Sequence, residues 1–243
     1  MSRSILFLLL LTTSLYARKD QYHSCPSKDF VKHKYFSLCY SDFHEQSSWT
    51  HHLLKKKSIR GPQKRTNNFR SDPKVAAGSA GKNDYRGSGF DRGHMVPAGD
   101  SKLNYQSMSE TFYMSNMSPQ RPGFNRGIWR RLEELVRSWI LAGRDMQVVT
   151  GPVLEDGLPR VNNLVSIPKY HFKIVFDHKN RKEQKMIAFL FPNQGSRNPI
   201  KEFATTVDKV EKMTGINFFK NLPVKLQNRL ESKINLREWD FKN

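Results

Sequence analysis

The clearest pattern of apolar and polar positions lies in the segment FNRGIWRRLEELVRSWILAGRD, residues 124–145. Its apolar residues fall on one face of a helix, as they do on the buried side of an amphipathic helix. These residues are Ile128, Trp129, Leu132, Leu135, Val136, Trp139 and Ile140. Asn125 stands where an N-cap would, and Gly143 stands where a helix commonly ends. The pattern predicts one core-facing helix.

Other segments are rich in β-branched and aromatic residues and are bounded by Gly, Pro or Asn, which is typical of strands. They are MQVVTGPVL (146–154), VSIPKYHFKIVFD (165–177) and QKMIAFLFP (184–192). The segment ETFYMSNMSP (110–119) is also interpreted as a strand, ended by Pro119.

Two further helices are predicted, one from Pro199 to Met213 and a short one over 223–233. Strands and helices therefore run in blocks without strict alternation. This order favours the α+β class over a doubly wound parallel sheet.

The first 17 residues have the layout of a secretory signal peptide. Arg3 precedes an apolar run from Ile5 to Leu11, and Ala17 stands at the expected cleavage point. That run is too short to span a bilayer as a helix. We therefore expect an exported protein, periplasmic or extracellular, without stable insertion into a membrane.

Residues 18–60 are polar and basic and predict an irregular N-terminal arm, followed by a single domain over 61–243 that begins with long loops. Cys25 and Cys39 are compatible with one disulfide in an oxidising compartment, and two free thiols are the alternative. His44, His51 and His52 lack carboxylates at ligand spacing, so we expect them to be exposed to solvent.

The chain carries 41 Lys and Arg against 22 Asp and Glu, a formal charge of +19. Such an excess attracts polyanions. Nucleic acid is the obvious partner, while an anionic membrane surface or a cell-wall polymer would satisfy the same charge. The balance of charge alone does not decide among these partners.

The stretch GFDRGHMVPAGD, residues 89–100, carries groups suited to phosphodiester cleavage. His94 can act as a base near neutral pH, because its unperturbed pKa is about 6.5. Arg92 offers a planar set of donors for phosphate oxygens. Gly93 is interpreted as letting the backbone approach a bulky substrate. Without other motifs, however, a histidine in such a stretch is usually a surface loop residue.

Three linked motifs decide the interpretation: DRGHMVPAGD (91–100), SNMSPQ (115–120) and FNRGIWRRLE (124–133). Together they resemble the DNA/RNA non-specific endonucleases of the ββα-metal superfamily, which includes secreted bacterial nucleases and mitochondrial endonuclease G. The resemblance implies a central, mainly antiparallel sheet flanked by helices. It also implies hydrolysis of double- and single-stranded DNA and of RNA.

The resemblance also implies a role for individual residues. His94 would be the general base, and Asn125 the single direct protein ligand of one Mg²⁺ ion, with Mn²⁺ or Ca²⁺ as substitutes. Glu133 would hold that ion through water. Arg92 and Arg137 would contact phosphate.

Two residues would support the site according to the same resemblance. Asn116 would orient His94 or support the metal, and Asp91 would fix its loop. The family also places an arginine upstream, and the sequence offers both Arg65 and Arg70 without choosing between them.

Other interpretations stay open for the individual residues and for the function. Asn125 could be only a helix cap. Glu133 could be half of a surface ion pair with Arg130 or Arg137. For the whole chain, the alternatives are an exported basic DNA-binding protein without catalysis, a hydrolase of another phosphodiester, or a cell-wall enzyme.

Overall fold

The computed structural model describes residues 22–178 and 183–241. In these ranges seven strands form one sheet: β1 (Asp29–Lys32), β2 (Phe36–Ser41), β3 (Gln46–Leu54), β6 (Met146–Pro152), β9 (Tyr170–Asp177), β10 (Lys185–Pro192) and β11 (Ala204–Thr205). They lie side by side in the order β1-β2-β3-β6-β9-β10-β11, and every neighbouring pair is antiparallel. The predicted signal peptide lies outside the described residues.

Two smaller antiparallel ladders accompany the sheet, β4 (Asp91–His94) with β5 (Met117–Gln120) and β7 (Arg160–Val161) with β8 (Val165–Ser166). The α-helices are α1 (Lys56–Ile59), α2 (Tyr105–Glu110), α3 (Arg130–Leu141), α4 (Val207–Thr214) and α5 (Val224–Glu231). Short 3₁₀ turns cover Lys82–Tyr85, Ala98–Asp100, Met114–Asn116, Ile200–Phe203 and Leu236–Glu238. In the described part of the chain no helix has the length and apolar character needed to cross a membrane.

The large sheet is covered on both faces, because successive residues of a strand point to opposite sides. Val148 of β6 and Val175 of β9 pack with the apolar stripe of α3. Their neighbours Val149 and Ile174 pack on the other side with Val207 of α4 and Leu230 of α5. The fold is therefore α+β, as predicted, with an antiparallel sheet between two helical layers.

The prediction of an irregular arm over residues 18–60 is wrong for residues 29–54, which form β1, β2 and β3. Several side chains of β3 are buried although they are polar, and hydrogen bonds satisfy them. Ser47 Oγ donates to the carbonyl of Ser115 at 2.7 Å, and Gln46 Nε2 donates to that of Ser166 at 2.5 Å. A strand buried by polar contacts does not show the apolar alternation that sequence patterns detect.

The expectation of exposed histidines is wrong for the same reason. His44 and His52 are buried, and His51 is half-buried. His44 Nδ1 pairs with Ser166 Oγ at 2.9 Å, and His52 Nε2 pairs with a carboxylate oxygen of Asp100 at 3.2 Å. The disulfide between Cys25 and Cys39 is present and ties the N-terminal segment to β2.

Most other predicted elements are present, but several are divided or have shifted boundaries. The predicted strand over 165–177 forms two strands, β8 in the small ladder with β7 and β9 in the large sheet. The segment 110–119 is not one strand, because α2 ends at Glu110 and β5 begins only at Met117. Pro119 lies inside β5, which a two-stranded ladder tolerates on its open edge. The predicted helix over 199–213 is interrupted, and α4 begins after Thr206, whose side chain caps it.

The predicted helix over 124–145 has two parts. Phe124–Trp129 forms a wide helical turn with non-helical backbone angles at Gly127, and α3 follows directly. Gly143 has φ of +100°, a backbone conformation suited to glycine, and ends the helix as predicted. The N-cap interpretation of Asn125 is wrong, because this residue lies inside the wide turn and caps nothing.

Residues 55–145 form an excursion between β3 and β6, which are neighbours in the sheet. The excursion contains β4, β5, the wide turn and α3 in chain order. α3 packs on one face of the sheet through its apolar stripe, and Ser118 of β5 donates to Gln46 Oε1 of β3 at 2.7 Å, so both parts of this unit are anchored to the sheet. This ββα unit carries every residue of the predicted site.

Candidate active site

A cleft of about 440 Å³ opens between β4, the Ala98–Asp100 turn and the first turns of the helical segment. Five of the six predicted site residues line it: Arg92, His94, Asn125, Glu133 and Arg137. Asn116 does not reach it. We call Arg65, Arg92 and His94 the strand wall of the cleft, and Asn125, Glu133 and Arg137 the helix wall.

His94, the last residue of β4, packs against two aromatic rings. The ring centroids of Phe69 and Phe112 are 5.9 and 4.9 Å from that of the imidazole, both edge to face. Nε2 is shielded from solvent and has no hydrogen-bond partner among the described residues. Burial, together with the charge of Arg65, lowers the pKa of His94 to about 3, although a hydrogen bond with the Arg92 backbone opposes the shift. The imidazole is therefore neutral at physiological pH and able to accept a proton.

The same two phenyl rings carry the two arginines of the strand wall. The guanidinium of Arg92 lies 4.2 Å from the centroid of Phe69, and that of Arg65 lies 4.8 Å from the centroid of Phe112. Among the described residues neither arginine forms an ion pair, so both keep charge available for an anion. Stacking on a ring orients a guanidinium without neutralising it.

The structure separates the two candidate upstream arginines. Arg70 faces away from the cleft, and its guanidinium donates to the carbonyls of Asn68 and Ser109 at 3.1 and 3.0 Å. It also lies 4.0 Å from the ring centroid of Tyr113. Arg65 lines the cleft, whereas Arg70 does not.

On the helix wall, Asn125 is oriented by Asp91. Asn125 Nδ2 donates to Asp91 Oδ2 at 2.9 Å, and Arg126 donates to both oxygens of the same carboxylate at 2.8 and 2.6 Å. Burial alone would raise the pKa of Asp91, but the hydrogen bonds from Arg126 and Asn125 hold it below its usual value. With its amide nitrogen occupied in this way, Asn125 keeps its carbonyl oxygen for another partner.

Glu133 and Arg137 belong to a buried network of charges behind the cleft. Arg137 donates to Asp100 at 3.0 Å and lies 3.9 Å from Glu133. Asp100 also pairs with His52 of β3. Burial would raise the pKa of Asp100, but the hydrogen bond and charge of His52 and the charge of Arg137 hold it low. This network holds the carboxylates of Asp100 and Glu133 in fixed positions, whereas a solvent-exposed ion pair would leave them mobile.

A lysine completes this network from the sheet. Lys173 of β9 is only 1% exposed, donates to Thr150 Oγ1 at 2.6 Å and lies 4.9 Å from the ring centroid of Trp129. Burial lowers the pKa of Lys173 and raises that of Glu133, while the attraction between their charges opposes both shifts. The positive charge of Lys173, on the large sheet, therefore stabilises the negative charge of Glu133.

Asn116 is buried away from the cleft and braces the segment after β4. Its Oδ1 accepts from the backbone nitrogen of Val96 at 2.9 Å, and its Nδ2 donates to the carbonyls of Val96 and Thr111 at 3.0 and 2.8 Å. The structure shows no contact between the Asn116 side chain and the imidazole of His94. Its link to His94 runs through the backbone.

The glycines beside the site make room for protein side chains. A Cβ on Gly93 would lie 2.1 Å from the Gln120 side chain, and one on Gly99 would lie 2.9 Å from Nη1 of Arg137. The interpretation that Gly93 admits the substrate is therefore wrong. Gly93 lets β4 and β5 close over Gln120.

Sequence reasoning assigned no role to His52, Asp100, Arg126 or Lys173. Asp100 offered a signal, because it ends the stretch that contains His94. Lys173 offered another, because it stands inside an apolar strand, where a lysine is rare unless paired. His52 and Arg126 carried no signal, since their partners are set by the tertiary fold alone.

His94 lies on the first of two antiparallel strands and faces the start of the helical segment that follows these strands. This arrangement defines the site of a ββα-metal nuclease. Comparisons with known proteins agree with this class. The family model for the DNA/RNA non-specific endonucleases matches residues 18–225. The chain belongs to this family, and it is a DNA/RNA endonuclease, a phosphodiester hydrolase.

Three relatives illustrate the match. Nuclease C1 of Cunninghamella echinulata var. echinulata is 34% identical over 215 residues, which cover 82% of this chain and 85% of that protein. The mitochondrial nuclease EXOG of Xenopus laevis is 32% identical over 213 residues, covering 81% of this chain but only 59% of that protein. The solved structure of the EndoG/EndoGI complex matches with a TM-score of 0.71 at 30% identity, covering 81% of this chain and 87% of that one.

Membership of this family sets the alternative functions aside. A basic DNA-binding protein without catalysis would need the cationic strand wall but not His94 facing Asn125 and Glu133 across one cleft. A cell-wall enzyme has no support in the comparisons reported above.

Proposed function

We propose that the chain is an exported, metal-dependent endonuclease that hydrolyses DNA and RNA without selecting base sequence or sugar, with His94 as the general base. The observation that carries this proposal is the position of His94. A neutral imidazole lies beside two arginines that form no ion pair among the described residues. It faces the oxygen donors Asn125 and Glu133 across the same cleft.

In this proposal His94 accepts a proton from the attacking water. The oxygen of that water bonds to phosphorus as the bond to the leaving oxygen breaks. A low pKa keeps the imidazole free to accept the proton, and the anionic phosphates of a bound substrate increase its proton affinity. Phe69 and Phe112 restrict the ring to one orientation, which general base catalysis requires.

Phosphate is bound by the strand wall. Arg65 and Arg92 have no acidic partner among the described residues and are held in position by Phe112 and Phe69. We assign the upstream phosphate contact to Arg65 and not to Arg70. Arg137 approaches phosphate from the opposite wall while Asp100 holds its guanidinium.

The residues of the helix wall fit a hard divalent cation. The carbonyl oxygen of Asn125 and the carboxylate of Glu133 are oxygen donors of the kind that Mg²⁺ prefers, and both line the cleft. Asn125 would bind the ion directly and Glu133 through water, with Mg²⁺ as the natural ion and Mn²⁺ or Ca²⁺ as substitutes. When bound, the ion stabilises negative charge on the phosphate and on the leaving oxygen.

Asp91 and Asn116 act as positioning residues. Asp91 turns the amide of Asn125 by accepting its Nδ2 hydrogen. Asn116 ties the backbone at Val96 to that at Thr111, which fixes the end of β4 and thereby the imidazole.

Broad substrate range follows from contacts to phosphate alone. Such contacts position a nucleic acid but carry no sequence information directly. The formal charge of +19 favours binding to any polyanion and makes that binding sensitive to salt. Export rests on the signal peptide predicted for residues 1–17, which lie outside the described part of the chain.

The test is digestion of supercoiled plasmid and of RNA by purified residues 18–243, with Mg²⁺ or with EDTA. We expect both substrates to be degraded with Mg²⁺ and neither with EDTA, and a plasmid to give a smear instead of discrete bands. Degradation that survives exhaustive chelation would contradict the metal assignment. Discrete bands would contradict sequence tolerance.

A further inference from the structure

A second group of acidic side chains lies outside the cleft, between α4 and α5. Asp208 is in the first turn of α4, Glu211 is one turn later, and Glu231 is the last residue of α5. One carboxylate oxygen of each residue lies within 4.8 Å of the other two. Because α4 and α5 pack on the face of the sheet opposite α3, this group takes no part in the proposed reaction.

The negative charge of this group is uncompensated in a strongly cationic chain. Among the described residues, none of the three carboxylates has a Lys, Arg or His within ion-pair distance. The start of a helix favours the charge of Asp208, but Glu231 stands at the C-terminal end of α5, where the helix dipole is unfavourable. Three like charges at this separation repel one another unless a cation joins them.

Glu231 adds an independent sign of a missing partner. The residue is 5% exposed, and its Oε1 is buried without a hydrogen-bond partner in the described part of the chain. By contrast, Glu211 Oε1 accepts a hydrogen bond from the backbone nitrogen of Phe218 at 2.7 Å. A buried carboxylate oxygen with no donor indicates a partner beyond the protein atoms.

We propose that Asp208, Glu211 and Glu231 form a binding site for a divalent cation, Ca²⁺, that joins α4 to α5. The donors are all carboxylate oxygens, with no His or Cys of the kind that Zn²⁺ prefers. Ca²⁺ accepts six to eight oxygens in irregular geometry, and carboxylates can bind it through both oxygens. Mg²⁺ is a weaker candidate because it demands nearly octahedral geometry and retains its waters. The site is structural and separate from the catalytic ion.

The competing account is a proton shared among the three carboxylates instead of a metal ion. Calcium binding and thermal unfolding separate the two accounts. The measurements use the full mature chain carrying Asn125→Ala, which removes the direct ligand of the proposed catalytic ion. Equilibrium dialysis with calcium should find one bound ion per chain. At roughly 10 mM calcium, the affinity of an extracellular-type site predicts a rise in Tm of about 3 to 10 °C.

Three further substitutions in the same background locate the ion. Asp208→Asn changes an exposed residue and should fold normally, and Glu231→Gln preserves shape. Both should lose the bound calcium and the rise in Tm. Glu202→Gln removes an exposed acid outside the group and should keep both.

Two results would overturn the proposal. One is calcium binding and a rise in Tm that persist in both Asp208→Asn and Glu231→Gln. The other is no bound calcium in the Asn125→Ala chain. If in that case Glu231→Gln also raises Tm without calcium, the shared proton accounts for the group. Nuclease activity is measured separately in the chain with Asn125 intact, so its loss would bear on the proposed function and not on this site.

Discussion

The two walls of the cleft hold their functional side chains by different kinds of contact. On the strand wall, Arg65, Arg92 and His94 rest on phenyl rings, and none of them forms an ion pair among the described residues. On the helix wall, Asn125 is hydrogen-bonded to Asp91, and Arg137 is ion-paired with Asp100.

This difference matches what the proposed mechanism requires of each wall. In that mechanism, the groups that meet phosphate exchange bound water for substrate. Phenyl rings orient these groups without neutralising the arginines or occupying the proton-accepting nitrogen of the histidine. Groups that hold an ion and its waters must not move, and a buried network of paired charges fixes them. The comparison predicts the largest kinetic effect from His94 on the strand wall and mixed effects from the helix wall.

The largest effect should come from the strand wall. His94→Ala should lower turnover of duplex DNA by at least the 10²–10⁴-fold typical of a general base, because no other imidazole lines the cleft in the described structure. Affinity for DNA should change little, since the arginines remain. Single-turnover cleavage and a binding titration measure the two quantities. Cleavage at the parental rate would refute the assignment of the base.

The helix wall offers a matched pair of neighbours. Glu133 is largely buried in the charge network, whereas Glu134 is half exposed and pairs with Arg130 at the rim. Glu133→Gln should lower turnover about 10–100-fold, as loss of an outer-sphere metal partner does. Glu134→Gln should leave turnover within about twofold, because exposed ion pairs contribute little. An equal loss of turnover in both variants would show that the buried charge network around Glu133 is not what makes this residue important for catalysis.

His171 of β9 does not line the cleft and is buried against Ser118 of β5 and Phe124 of the wide turn. Burial lowers its pKa to about 3, so the unfolded chain binds its proton at a higher pH than the folded chain. Its contribution to stability is therefore complete above an unfolded pKa of about 6.5 and is lost as pH falls towards 3. Between pH 7 and pH 5 the loss should be roughly 2 kcal/mol.

Urea unfolding at pH 7, 6 and 5 tests this contribution. His171→Gln should reduce the loss of stability between pH 7 and pH 5, whereas His178→Gln, at a partly exposed histidine, should leave it unchanged. An unchanged pH dependence in His171→Gln would mean that other groups control the acid sensitivity.

The smallest effects should separate the two upstream arginines. Arg65→Ala should lower turnover about tenfold, as expected for loss of one charged contact to phosphate, with little change in Tm. Arg70→Ala should keep turnover near the parental value but cost about 1 kcal/mol of stability, because it removes hydrogen bonds and a ring contact. Steady-state kinetics and thermal unfolding of both variants measure this. A reversed pattern would exchange the two roles.

Much of the fold could be predicted from sequence because its core follows simple periodicities. The apolar face of α3 and the runs that become β6, β9 and β10 bury side chains in one regular direction. The strand β3 could not be predicted in this way. Its buried polar residues, such as Gln46 and His52, are satisfied by partners more than 45 positions away along the chain.

The same distinction applies to the site. His94, Asn125 and Glu133 were placed by linked motifs at fixed spacing, and the structure brings them to one cleft. The choice between Arg65 and Arg70 was open because both stand in one polar loop, and only packing on Phe112 or Tyr113 separates them. Lys173 and Asp100 were missed because their role depends on how β9 and the Ala98–Asp100 turn approach α3.

The excursion between β3 and β6 has a consequence for the order of folding. Thr50 pairs with Thr150 across these strands, so the sheet cannot close until the whole catalytic unit has been synthesised. Pairings this distant along a chain form slowly, because a long loop must close before any contact stabilises it. His52 of β3 pairs with Asp100 of the excursion, so this contact also joins the helix-wall network to the sheet. We therefore expect a newly made chain to have no working cleft until β3 and β6 have paired.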